Sequence, residues 1–206
     1  MKHLRNADAP PVVLASQSRF RREMLERAGL EFAVDAAHVD ESEIKLSMRQ
    51  AGASVEDVAT ALAEHKARRV ALRHPGTIVI GSDQMLDCGG VWFDKPADRA
   101  HAEGHLRALS GKTHRLVTAA VVFRNGTRVW HHTESAKLTM RPLEADFIRR
   151  YLDAMGEDAG SSVGAYQLEG LGAQLFSRVE GDFFVILGLP LLPLLGFLRA
   201  QGVIPE

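Results

Sequence analysis

The segment Ser16-Gln17-Ser18-Arg19-Phe20-Arg21-Arg22 sets two hydroxyls and three guanidiniums together, directly after a short apolar run. If that run is a strand and the segment opens a helix, backbone N–H groups and the helix dipole favour an anion there. Arginine adds paired hydrogen bonds to phosphate oxygens. The same residues read equally well as an ordinary N-cap followed by a basic helix face. Gly81-Ser82-Asp83-Gln84 follows the β-branched run Thr77 to Ile80. An aspartate at the carboxyl end of a strand stands where α/β sheets place ligand chemistry. It can activate a water or hold Mg2+, or it can simply form a turn. In Asp94-Lys95-Pro96 the proline restrains a lysine. That makes a placed cation able to offset charge growing on a phosphate, although a plain surface lysine is the ordinary case.

Three look-alike motifs fail on spacing. Ser110-Gly111-Lys112-Thr113 resembles the tail of a phosphate-binding loop, but Leu106 stands where its first glycine belongs, and the segment follows a helix and precedes a strand. Gly170-Leu171-Gly172 lacks the third glycine of a dinucleotide fingerprint, Leu175 taking its place. His101 and His105 sit four apart on a helix with no third ligand nearby, so they read as solvated histidines rather than a metal pair.

These residues must be positioned by secondary structure that the pattern largely announces. Pro11 to Ala15 reads as a strand and Arg19 to Gly29 as a helix, with Phe20, Met24, Leu25 and Ala28 at helical spacing and Gly29 as its cap. Phe32 to Val39 reads as a second strand. Ser54 caps a helix running to Arg73, with Val55, Val58, Ala59, Leu62 and Ala63 as its apolar face. Thr77 to Ile80 is a buried strand ending at Gly81. Asp98 to Leu109 is a helix. Arg115 to Arg124 and Thr127 to Leu138 form a hairpin around Asn125-Gly126. Glu144 to Ala154 is a helix, Gly156 to Gly172 a loop, Phe183 to Leu187 a strand, and Pro190 to Gln201 a last helix. Interleaved strands and helices argue for an α/β fold, and the hairpin argues against a purely parallel sheet.

The chain has 206 residues, 46% hydrophobic and 25% charged, which is enough for a substantial core and argues against disorder. No repeat or linker interrupts it, so residues 1–206 read as one domain with two lobes. A formal net charge of -1 gives no global field for a nucleic-acid backbone, so any anion site is a local cluster. The lone Cys88 excludes an intrachain disulfide and a cysteine-based zinc site, and it fits a reducing compartment. Met1 to Pro11 is polar and lacks the apolar core of a secretory signal. Phe183 to Leu198 is interrupted by glycines and prolines and is too short to span a membrane. A cytoplasmic protein that binds neither membrane nor nucleic acid is expected.

Taken in order, LASQSRFRREML (14–25), VDES (39–42), EHKA (64–67), GSDQ (81–84), DKP (94–96), LSGKTH (109–114), EGLGAQLF (169–176), EGD (180–182) and LGLP (187–190) resemble the Maf family of nucleotide pyrophosphatases. The match runs from Val12 to Gly202. The resemblance implies a mixed twisted sheet flanked by helices, two-lobed with a central cleft as in Maf- and ITPase-like proteins, and often a homodimer. It implies hydrolysis of a nucleoside triphosphate to the monophosphate and pyrophosphate with Mg2+ or Mn2+. Carried over by position, Asp83 is the general base. Ser16, Ser18, Arg21, Arg22, Lys66 and Lys95 bind phosphates, and Glu41 joins Asp83 at the metal. Two positions depart from the family pattern. Ser162 stands where many members carry a lysine, which weakens a phosphate contact, and Val185 stands where many carry an asparagine, which affects packing.

The physics agrees with that assignment. A triphosphate carries roughly four negative charges and a divalent ion removes two, so the site needs several cations beside its carboxylates. The family also divides by base, and the positions tied to that choice fall at Phe20, Gln84 and Glu169. An aromatic, Gln and Glu there match the branch that prefers 7-methyl-GTP rather than the one that takes dTTP and UTP. A carboxylate at Glu169 accepts the two adjacent donors of guanine, and Phe20 either stacks on a cationic methylated ring or packs as a core residue of the first helix. The competing readings are a pyrimidine nucleotide pyrophosphatase and a non-catalytic nucleotide-binding regulator of cell division.

Overall fold

The computed structural model describes residues 4–37 and 39–206. Met1 to His3, at the start of the polar N-terminal segment, and His38, within the second expected strand, lie outside the described residues. In chain order the elements are β1 (Val12–Leu14), α1 (Arg19–Arg27), β2 (Ala33–Val34), α2 (Glu41–Gln50), α3 (Val55–Ala71), β3 (Ile78–Cys88), β4 (Val91–Phe93), α4 (Arg99–Leu109), β5 (Thr113–Arg124), β6 (Thr127–Met140), α5 (Ala145–Met155), β7 (Phe176–Glu180), α6 (Phe183–Ile186) and α7 (Leu191–Ala200). The strands form one mixed sheet in the order β2-β1-β3-β5-β6-β7, with β4 also on β3. β1 runs parallel to β2 and β3, while the β3–β4 and β6–β7 pairs are antiparallel. This is the mixed α/β class expected from the pattern.

The chain divides into two compact units. The first comprises residues 1–83, 118–134 and 188–206, and the second 84–117 and 135–187. In the first, Val12, Val13 and Leu14 of β1 and Ile78, Val79 and Ile80 of β3 are buried, as are Val58, Leu62, Ala63 and Val70 of α3. Parallel strands buried on both faces read as continuous apolar runs, which is why PVVLA and TIVI stood out. Ser54 caps α3 by accepting from the Asp57 N–H at 3.1 Å. In the second unit Leu86, Leu106, Leu109, Leu116, Leu138, Ile148, Leu152 and Leu175 form the core. Asp98 caps α4 by accepting from the His101 N–H at 2.8 Å. Asn125 (φ 50°) and Gly126 (φ 76°) both adopt the left-handed conformation that a two-residue hairpin turn requires.

Four expectations need correction. Strand β3 does not stop at Ile80. It continues through Asp83 to Cys88, because β5 is its other neighbour in the sheet and β4 pairs with its far end (Leu86 opposite Phe93) beyond the register with β1, which ends at Leu14–Ile80. Phe183 to Leu187 is not a strand. Asp182 accepts from the Val185 N–H at 3.0 Å and starts the short helix α6. The strand lies just before it, at Phe176–Glu180 on β6. A short apolar run does not by itself distinguish the two states. The second strand shrinks to Ala33–Val34, and α2 follows, opened by Asp40 accepting from the Glu43 N–H. The glycine-rich stretch after α5 is not plain loop, since it holds 3₁₀ turns at Gly156–Gly160, Val163–Ala165 and Leu171–Leu175.

Candidate active site

The register between β1 and β3 builds the site. Leu14 pairs with Ile80, so the segment leaving β1 at Ser16 runs beside the Gly81–Asp83 stretch of β3. The site therefore lies past the end of β1 and alongside a strand that continues, not at two strand ends. Ser18 caps α1, accepting from the Arg21 N–H at 3.4 Å, and the Ser18 N–H donates to the Ser16 hydroxyl at 3.2 Å. Arg21 points inward from the first turn of α1 and is only 9% exposed. Its Nε donates to the Gly188 carbonyl at 2.7 Å and its Nη1 to Ser16 Oγ at 3.2 Å. Ser82, fully buried, has its hydroxyl 2.8 Å from the Ala119 carbonyl and 3.0 Å from that of Gly188. Gly188, from the LGLP motif, thus anchors the arginine, a role the sequence pattern did not reveal.

Helix α3 supplies the second cation. Gly81 on β3 lets α3 approach closely, since a Cβ there would lie 2.3 Å from the Ala63 carbonyl oxygen. Two residues further along β3, Asp83 meets Lys66. Lys66 Nζ donates to Asp83 Oδ1 at 2.5 Å and lies 2.7 Å from Glu41 Oε1. Asp83 is 4% exposed and Lys66 9%. The other carboxylate oxygen, Asp83 Oδ2, is buried with no hydrogen-bond partner among the described residues. Burial of charged groups this deep is tolerated because each faces an opposite charge.

The electrostatics are coupled. Burial pushes the Arg21 guanidinium below its ordinary value, while Asp83 and Glu41 pull it back up. For Glu41 burial is the largest influence and pushes upward, but Lys66, Lys45 and Arg21 together outweigh it and leave the carboxyl below its usual range. Within this cluster Arg21 and Lys66 are matched by Asp83 and Glu41, and Lys45 adds a further positive charge beside Glu41.

Of the residues singled out from sequence, the structure therefore brings Ser16, Ser18, Arg21, Glu41, Lys66 and Asp83 into one cluster. Arg22 stays apart on the exposed side of α1, paired with Glu26 at 3.7 Å. Phe20 is half-buried and is not among the buried positions of α1. The Arg19 guanidinium lies 5.1 Å from its ring centre, so the ring already faces a cation.

The second unit holds the remaining three. Gln84 follows Asp83 on β3, and its side-chain amide donates to the Val185 and Ile186 carbonyls at 3.0 Å each. Val185 itself is buried, and the bond to Gln84 uses its backbone carbonyl, which does not depend on the side chain there. Lys95 is exposed after β4, and Glu169 is exposed between two 3₁₀ turns. Ser162 Oγ donates to the Tyr166 carbonyl at 2.5 Å and helps shape the segment carrying Glu169.

Sequence comparison gives the same family as the motifs. The sequence model of the family described as Maf-like protein matches residues 11–201. The chain is 60% identical over 190 residues to a nucleoside triphosphate pyrophosphatase of Paramagnetospirillum magneticum, covering 92% of this chain and 98% of that protein. It is 54% identical over 195 residues to a 7-methyl-GTP pyrophosphatase of Rhizobium etli, covering 95% and 98%. It is 53% identical over 188 residues to a nucleoside triphosphate pyrophosphatase of Granulibacter bethesdensis, covering 91% and 95%. With a family match spanning nearly the whole chain and relatives this similar along almost their entire lengths, the chain belongs to the Maf family.

Proposed function

We propose that the chain hydrolyses nucleoside triphosphates between the α- and β-phosphates, releasing a nucleoside monophosphate and pyrophosphate. One observation carries this reading. Asp83 is a buried carboxylate with one oxygen held by Lys66 and the other without a protein partner, in a cluster that includes Arg21 and Ser16. In this reading Asp83 takes a proton from a water whose oxygen attacks the α-phosphorus. The bond from that phosphorus to the bridging oxygen breaks, and pyrophosphate leaves with the electron pair. Charge grows on the leaving group, so cations near it act chiefly on the transition state.

Glu41 and Asp83 would hold a divalent metal. Their oxygens, one of them buried and unpartnered, suit Mg2+ or Mn2+, which prefer oxygen ligands. Among the described residues no group of three acidic, histidine or cysteine side chains could hold an ion, so waters and phosphate oxygens would complete the shell. When bound, the ion would offset phosphate charge. The roles of Ser16, Ser18, Arg21, Lys66 and Lys95 as phosphate ligands belong to the same proposal. Arg22 has the weakest claim, since it sits on the exposed face of α1.

For the base we propose 7-methyl-GTP or a similarly modified purine nucleotide. Phe20, Gln84 and Glu169 support it, as does a relative named for that substrate at 54% identity. The reading treats residues 1–206 as one domain working in the cytoplasm as a homodimer. No helix among the described residues is long and apolar enough to cross a membrane.

A panel of 7-methyl-GTP, GTP, dTTP and UTP, with pyrophosphate detection and with or without Mg2+, tests both levels. Release from 7-methyl-GTP at the highest kcat/KM supports the full reading. Preference for dTTP or UTP removes the base assignment and keeps the reaction. Binding without release from any triphosphate leaves the regulator reading.

A further inference from the structure

We propose that Lys45 is an additional substrate-binding residue, which pairs with Glu41 in the free protein and contacts the β- and γ-phosphates when substrate is bound. The inference rests on the reaction proposed above. Helix α2 has no fully buried residue, yet its covered positions follow a helical stripe. Glu41, Ile44, Lys45 and Met48 are partly buried, while Ser42, Glu43, Leu46, Ser47 and Arg49 are exposed. A lysine therefore occupies the inward face while a leucine faces solvent. The Lys45 side chain is only 16% exposed. Its Nζ lies 3.8 Å from Glu41 Oε2, and Lys66 Nζ lies 2.7 Å from Glu41 Oε1. One carboxylate thus bridges two ammonium groups, and one of them belongs to the Asp83 pair.

Charge makes that bridge informative. Arg21 and Lys66 are already matched by Glu41 and Asp83, so they leave no net positive charge for a ligand. A triphosphate with one divalent ion brings roughly two further negative charges. An ion held by Glu41 would loosen that carboxylate's grip on Lys45, and an ammonium on a flexible four-carbon stem would then reach a phosphate oxygen. The anion recognised has the chemistry of pyrophosphate.

The test compares wild type, Lys45→Gln and Lys45→Arg by steady-state hydrolysis, by calorimetric titration with inorganic pyrophosphate in Mg2+, and by thermal unfolding. A lost charge-assisted contact of this kind weakens binding by about tenfold. Lys45→Gln is expected to raise the pyrophosphate Kd about tenfold and to lower kcat/KM by at least about tenfold, because charge on the leaving pyrophosphate grows as its bond to the α-phosphorus breaks. Lys45→Arg should restore most of both, and the unfolding midpoint should stay put. Unchanged kcat/KM and Kd in Lys45→Gln would overturn the inference. A lowered midpoint with activity that arginine does not restore would also overturn it, reducing Lys45 to a helix ion pair. If wild type cleaves no triphosphate, the proposed reaction fails, and the pyrophosphate titration still decides whether Lys45 binds the anion.

Discussion

Replacing Gly81 with alanine should damage stability and catalysis together, through one measurable displacement. The added Cβ would lie 2.3 Å from the Ala63 carbonyl oxygen and 2.8 Å from both the backbone nitrogen and the Cβ of Ala67. Non-bonded heavy atoms settle near about 3.5 Å, so α3 must retreat from β3 by roughly 1 Å. The obstructing atoms are mostly helix backbone, which cannot swing aside as a flexible side chain would. Overpacking of this kind costs about 1–3 kcal/mol. For a chain of this size each kcal/mol lowers Tm by about 2–4 °C, so a fall of roughly 2–12 °C is expected. The same shift would stretch the 2.5 Å contact of Lys66 on α3 with Asp83 on β3 past ordinary hydrogen-bond length. A misplacement of about 1 Å can cost 100-fold in rate, so kcat/KM should fall by at least about tenfold. Circular dichroism melting and pyrophosphate release measure the two effects. Gly104→Ala is the control, since nothing lies within 4 Å of its Cβ and the residue sits inside α4. It should raise stability by about 0.5–1 kcal/mol. A Gly81→Ala protein with Tm within a degree and kcat/KM within twofold of wild type would refute the close-approach argument.

Asp83→Asn should lower kcat by about 100-fold to 10,000-fold, the usual contribution of a general base, with a retained circular dichroism spectrum; near-normal turnover would remove Asp83 from the mechanism. Glu169→Gln should lower kcat/KM for 7-methyl-GTP by about tenfold, as expected for a lost contact to a charged acceptor, and an unchanged value would end the base assignment. Burial lowers the His114 pKa from 6.5 to about 4, so between those values the unfolded chain binds the extra proton. Stability is then expected to fall as pH drops from about 6.5 towards 4, by up to about 3 kcal/mol. Denaturant titrations across that range check it, and the slope should flatten in His114→Gln; a slope unchanged by that substitution would assign the effect to other groups.

Much of the fold was legible because local rules and burial agreed. PVVLA is apolar and TIVI β-branched throughout, Ser54 and Asp98 cap their helices, and Asn125-Gly126 permits the left-handed turn of the hairpin. The misread elements are those where local pattern is ambiguous. FFVI is too short to choose between helix and strand, and β7 is largely exposed and lacks an apolar signature.

The residues of the candidate site were likewise legible by type, since phosphate chemistry demands cations, hydroxyls and a carboxylate. Their arrangement was not. Nothing in the spacing of Glu41, Lys66 and Asp83 says that one ammonium lies between two carboxylates, or that a glycine on β3 admits α3 closely enough to put it there. Gly188 holds Arg21 across 167 residues of sequence. Residue chemistry is a local property carried by the chain. Charge pairing and burial depend on which distant segments meet, and only packing in three dimensions decides that.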